Sequence, residues 1–123
     1  MKVFAILGAI NMALGVILGA FGAHGLQHKL SAESLNVYQI GVQYHLYHAL
    51  GLLMVAVLLK VYPNAKGLRP GGWLLFNGIV LFSGSLYALA LTGIKFFGPV
   101  TPVGGACFII GWIWIFWSML REF

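Results

Sequence analysis

Aspartate is absent from the 123 residues, and glutamate occurs only as Glu33 and Glu122. Both glutamates stand at the edges of apolar segments, so no paired-carboxylate site can form inside one. Nucleophilic chemistry of the Ser–His or Cys–His kind would lack its acidic orienting partner. No phosphate-binding loop and no dinucleotide fingerprint is present. These gaps leave an enzymatic reading with little support. There is one cysteine, Cys107, within an apolar run, so no internal disulfide can form and cysteine usage indicates no redox compartment. Charge is scarce as well. Only 7% of residues are charged and 61% are hydrophobic, against about 25% charged in an ordinary soluble domain. One soluble domain of this length could not hide that much apolar surface, which makes a membrane protein the default. The seven Lys and Arg residues give a net charge of +5. They are spread one or two at a time between apolar runs, with no basic face, so a nucleic-acid partner is not expected.

What the chain does contain is four long apolar segments. The predicted architecture is an all-α polytopic membrane four-helix bundle, a single domain over 1–123. The spans are placed at about 3–26, 40–61, 73–93 and 102–120, with an interfacial amphipathic helix start at about 31–40. In the first segment Gly15, Gly19 and Ala23 stand at four-residue spacing, with Gly8 one heptad before Gly15. Small residues in such a row let a neighbouring helix approach closely, and Asn11 is expected to bond across that contact. A signal peptide is disfavoured because the apolar run exceeds the usual length of about 7–15 residues. His24 closes the segment.

The second segment organises the others. From Ser34 to Leu59 no Asp, Glu, Lys or Arg occurs, yet its first half carries Asn36, Gln39, Gln43, Tyr44, His45, Tyr47 and His48. Polar groups in a membrane usually face protein or water, so neighbouring helices should receive them. Ser31 is the expected N-cap, with Glu33 in the first turn where the helix dipole favours an anion. Ser31 to Tyr62 would be about 48 Å as one straight helix, so a bend near Gly41 is predicted. At 100° per residue, Asn36, Gln39, Gln43 and Tyr47 form one stripe, with Tyr44 and His48 on an adjacent arc and His45 beyond them.

Lys60 to Gly72 is expected to be a loop, with Tyr62 and Trp73 as interface anchors. Thr101 followed by Pro102 marks the expected start of the last helix. Its late half, with Trp112, Trp114, Phe116 and Trp117, suits a lipid-facing surface. Lys2, Lys60, Lys66, Arg69 and Arg121 fall on one side of a four-span topology, and only Lys29 and Lys95 on the other. That asymmetry predicts both termini in the cytoplasm.

This topology brings polar groups from several segments to one level. A pocket in the outer half of the bundle is expected, lined by His24, Tyr44, His45, His48 and Tyr87, with Asn11 and Asn77 in the inner half. Four roles compete for it. It can be a hydrogen-bond network that fixes helix packing. It can hold a metal or haem through His24, His45 and His48, with Cys107 as a further soft ligand, although no carboxylate is near to orient the rings. It can bind or pass a small apolar or amphipathic molecule or lipid, with transport requiring an oligomer. It can be catalytic, the role with least support. No motif specifies a cofactor. Membrane lipids are the evident partners, and the small-residue rows permit a homo-oligomer.

Four ordered stretches carry a family resemblance: Gly19-Ala-Phe-Gly-Ala-His-Gly-Leu26, Gly41-Val-Gln-Tyr-His-Leu-Tyr-His-Ala-Leu50, Leu81-Phe-Ser-Gly-Ser-Leu-Tyr-Ala-Leu-Ala-Leu-Thr-Gly93 and Gly98-Pro-Val-Thr-Pro-Val-Gly-Gly105. Together they resemble a small inner-membrane family that includes the bacterial YgdD and YwdK proteins and is similar to eukaryotic transmembrane protein 256. The resemblance implies a four-span protein of the bacterial plasma membrane. It implies no reaction, cofactor or site residue.

Overall fold

The computed structural model describes residues 2–122. The described chain is all helical. Helix α1 spans Lys2–His24, α2 Ala32–Val61, α3 Leu68–Gly78 and α4 Gly84–Thr92, and α5 runs Val100–Glu122. A π-helical turn, Ile79–Ser83, joins α3 to α4 without a break, and a short 3-10 turn, Lys95–Phe97, precedes α5. Counting α3 through α4 as one rod, four helical stretches are long and apolar enough to cross a membrane.

The helix ends follow local chemistry. Ser31 caps α2, its hydroxyl accepting from the Ser34 N–H at 3.1 Å, with Glu33 in the first turn. Gly93 adopts φ 71° after Thr92 and donates its N–H to Leu89 O, a left-handed cap that a side chain would strain. Three ends differ from expectation. The loop after α2 is shorter than predicted, because Pro70, Gly71 and Gly72 lie inside α3. Pro70 is tolerated there since the first-turn N–H groups have no intrahelical acceptor. Likewise α5 begins at Val100, ahead of Thr101 and Pro102. Thr101 therefore caps nothing, and its hydroxyl bonds instead with Ser85 Oγ and donates to Phe97 O. Finally, α1 stops at His24 rather than near 26.

Gly41 does not break α2, which is one helix of 30 residues. Glycine serves close packing there: a Cβ on Gly41 would sit 2.9 Å from Tyr87 Cε1. Nor do the first turns of α2 stand apart from the bundle. Tyr38 is 1% exposed, lies on Gly22 of α1 and donates its hydroxyl to Leu18 O.

Two antiparallel pairs, α1 with α2 and α3 with α5, are built alike. On α1 the small residues Gly8, Gly15 and Gly22 recur at heptad spacing, where added Cβ atoms would meet Leu53, Leu46 and Tyr38 of α2. On α5, Gly104, Gly111 and Ser118 repeat the spacing against Phe82, Leu75 with Gly71, and Gly67. A seven-residue stripe keeps one helix face against its partner, and the missing side chains let the backbones come close. The Gly15, Gly19 and Ala23 row is thus only partly the contact row: Gly15 is buried, Gly19 half-buried and Ala23 exposed.

α2 and the α3–α4 rod form the centre, and α1 and α5 flank them, with no extended interface between the two among the described residues. The main core joins Phe4, Leu52, Val55, Leu59, Leu68, Leu75, Ile79, Phe108 and Ile115. A second cluster, Leu26, Tyr38, Val42 and Ala90, closes the other end.

Candidate functional site

Because α1 and α4 approach α2 on one side of His45 and α5 reaches it beside His48, the two central histidines of α2 are received by different neighbours. His45 is buried and bonded on both ring nitrogens. Nε2 lies 2.9 Å from Asn11 Oδ1 on α1, and Nδ1 lies 2.9 Å from the Tyr87 hydroxyl on α4. The network fixes the tautomer. Asn11 donates its amide N–H to Leu7 O, so its oxygen can only accept. His45 therefore carries its proton on Nε2, and Tyr87 donates to Nδ1.

His48 has the opposite assignment. Its Nδ1 lies 2.7 Å from the Tyr44 carbonyl, which only accepts, so Nδ1 carries the proton. Its Nε2 accepts from the indole N–H of Trp112 on α5 at 3.0 Å. The imidazole also stacks on Phe108 with centroids 3.5 Å apart. As neutral rings, two histidines three residues apart thus take complementary tautomers, each tying α2 to different neighbours.

A third tie accompanies them. Ser83, the last residue of the π-helical turn, donates its hydroxyl to Gly41 O at 2.7 Å. Wider helical turns free backbone positions and recur at functional sites. Here the turn also re-phases the rod, so that Gly78 meets Phe108 while Tyr87, further on, reaches His45.

Of the five residues expected to line one pocket, the structure joins four into two adjoining groups. His45 and Tyr87 make one, and Tyr44 and His48 the other. His24 belongs to neither; it ends α1 and is exposed. The groups lie near the middle of α1, α2 and α5 rather than towards one end, because Asn11, which the sequence placed in the inner half, is a direct partner of His45. The proposed metal set does not assemble. Among the described residues no three His, Cys, Asp or Glu side chains come close enough to share an ion, and all four nitrogens of His45 and His48 already have protein partners. Cys107 is partly buried on α5.

Beside His48 the surface opens. Tyr44, His48, Phe82, Gly105, Phe108, Ile109 and Trp112 line a groove of about 450 Å³ between α2, the π-helical turn and α5. Its walls are aromatic: Tyr44 packs on Phe82 at 4.7 Å between centroids. Among the described residues, the Tyr44 hydroxyl has no hydrogen-bond partner.

Comparison with known proteins bears on identity. Residues 18–105 match a family described as a protein of unknown function, DUF423. Over 115 residues the chain is 57% identical to the UPF0382 membrane protein YwdK of Bacillus subtilis, covering 94% of both chains. The chain belongs to this family. UPF0382 membrane proteins of Staphylococcus saprophyticus and Staphylococcus haemolyticus are 52% and 46% identical, covering 92% and 98% of both chains. No solved structure matches. The family's printed names agree with the four apolar helices: this is a multi-pass membrane protein. The family description assigns no activity.

Two functional neighbours were misread or unplaced in the sequence. Asn11 was expected to bond across helices, but its level was wrong; its place on the Gly8–Gly15 stripe is the signal that it faces α2. Trp112 was assigned to lipid. It is 40% exposed, yet one edge of its indole turns inward, the N–H onto His48 and the adjoining ring carbons over Gly51, which no spacing in α5 distinguishes. The expected reception of the polar stripe also fails. Asn36, Gln39, Gln43 and Tyr47 are all exposed on a face of α2 that neither α1 nor α4 covers.

Proposed function

We propose that this protein resides in the bacterial plasma membrane with both termini cytoplasmic, and that the groove beside His48 binds a flat, largely apolar molecule carrying one hydrogen-bonding group. The observation that carries this reading is the aromatic groove itself, with Tyr44 and His48 among the residues that line it. An apolar cleft with few convergent polar groups is the usual form of a small-molecule site. The histidines act as its frame rather than as ligands. With both nitrogens of each ring engaged, they set the spacing of α1, α2 and α5, which keeps the groove open. The cationic side of the molecule supports the orientation.

The test is to extract and identify small molecules that co-purify with the wild type and with Gly105→Leu. A Cβ at Gly105 meets only the Phe82 ring, at 3.7 and 3.8 Å, so the larger side chain fills the groove without displacing backbone. A molecule held by the wild type and missing from a folded variant supports the reading. Identical extracts refute it.

The exposed amides of α2 favour self-association as a second property. Amide groups facing hydrocarbon lose their water partners, and a second copy offers both donors and acceptors. Gln39 and Gln43 line a groove with Gly19, Gly22 and Ala23 that a helix could enter closely. Gln39→Leu/Gln43→Leu should then shift the protein to a smaller mass in detergent by light scattering, and an unchanged mass would refute it.

A further inference from the structure

We propose that the cation-rich end of α5 holds one anionic phospholipid, headgroup and chain together. Two adjoining cavities carry the argument. The first, about 190 Å³, is lined by Asn64, Ala65, Lys66, Trp117, Ser118, Arg121 and Glu122. It lies where the α2–α3 loop meets the last turns of α5. Lys66 and Arg121 supply two cations against one carboxylate, Glu122. The Arg121 guanidinium sits 4.9 Å above the Trp117 ring, an arrangement that directs it to one place at the end of the helix. Lys60 and Arg69, at the neighbouring ends of α2 and α3, add positive potential at this same end of the bundle.

The second cavity is an apolar groove of about 400 Å³ lined by Ile110, Ile113, Trp114 and Trp117. Trp117 belongs to both. Positions 110, 113, 114, 117 and 121 fall on one helix stripe. From Ile110 to Arg121 the axial distance is about 16 Å, close to half of a hydrocarbon core of about 30 Å. A cationic recess thus continues into an apolar strip on the face of α5 about one leaflet long, with a tryptophan at the junction where headgroup and chain meet. A free phosphate would use the recess and leave the strip unexplained. A zwitterionic lipid would cover the strip but gain less from the cations. A phospholipid with net negative charge satisfies both, by the rules that draw such lipids to Lys and Arg at the membrane surface.

The experiment is native mass spectrometry of the full-length protein titrated with phosphatidylglycerol or phosphatidylcholine of identical acyl chains. The wild type should retain phosphatidylglycerol about thirtyfold more tightly, the effect of two surface cations at about 1 kcal/mol each. Lys66→Gln/Arg121→Gln should abolish that preference, whereas Lys66→Arg/Arg121→Lys and the opposite-end control Lys29→Gln/Lys95→Gln should keep it. Both cavity cations are exposed side chains, so the neutral pair removes no core contact, and circular dichroism checks helix content. Equal retention of the two lipids by the wild type overturns the proposal. So does an equal loss in the opposite-end control, which would mean that net charge and not this recess selects the lipid. Displacement of phosphatidylglycerol by millimolar glycerol phosphate would assign the recess to a soluble anion and overturn the lipid assignment.

Discussion

Gly104 and Gly105 are neighbours on α5, yet alanine should act on them in opposite directions. At either site the change favours the helix by about 1 kcal/mol. At Gly105 that is nearly the whole effect, because the new methyl makes ordinary contact with the Phe82 ring, at 3.7 Å or more. At Gly104 it would run into the Phe82 main chain, with Cα only 2.6 Å away. Main-chain atoms in the π-helical turn cannot swing aside as a side chain does, and Ser83 beside them is pinned to Gly41. Overpacking costs about 1–3 kcal/mol, and a backbone collision belongs at the upper end. The net expectation is a loss of about 2 kcal/mol for Gly104→Ala and a gain of up to about 1 kcal/mol for Gly105→Ala, a gap of about 3. Unfolding in mixed micelles by titration with sodium dodecyl sulfate, followed by circular dichroism, measures the gap. Equal shifts in the same direction would show that α5 does not pack its Gly104 face against the π-helical turn.

Three further perturbations address the polar layer and the topology. Asn11→Ala and Tyr87→Phe each remove one partner of His45, and each should cost about 0.6–1.7 kcal/mol; because they share one imidazole, the double variant should depart from additivity by at least about 0.5 kcal/mol in the same unfolding titration, and strict additivity would disprove the shared network. Trp112→Phe leaves the His48 Nε2 acceptor unpaired and should destabilise by about 1–3 kcal/mol, whereas His48→Phe/Trp112→Phe should recover part of that loss by removing both partners, and no recovery would refute the pairing. In a Cys107→Ser background, a membrane-impermeant thiol reagent should reach Lys66→Cys only from the cytoplasmic side and Lys95→Cys only from outside; the reverse pattern would invert the proposed orientation.

The apolar helices, the Ser31 cap and the partnering of Asn11 across helices were legible in the sequence because each depends on neighbours close along the chain or on one periodic stripe. The fates of His45 and His48 were not. Three residues on one helix separate their directions by only about 60°, and that small angle becomes decisive only once α1 is known to pack on α2 and α5 on the α3–α4 rod beside it. The placement of α5 rests in turn on Gly104, Gly111 and Ser118 meeting the α3–α4 rod. That rod carries a π-helical turn, which shifts the phase of every residue after it, and no residue from Ile79 to Ser83 marks the shift. A regular α-helix drawn through those positions would rotate Tyr87 relative to Gly78 by roughly one residue's turn, about 100°. Gly78 could still receive Phe108, but Tyr87 would then point away from His45. The pairing of Tyr87 with His45 therefore depends on the one irregular turn in the rod, and the same turn places Phe82 in the wall of the aromatic groove. Structural latch and candidate binding site share a single local distortion, so straightening 79–83 into regular α-helix at constant chain length should impair both at once, whereas deleting one residue there removes the extra residue, keeps Tyr87 in phase with Gly78 and should spare the Tyr87–His45 pair.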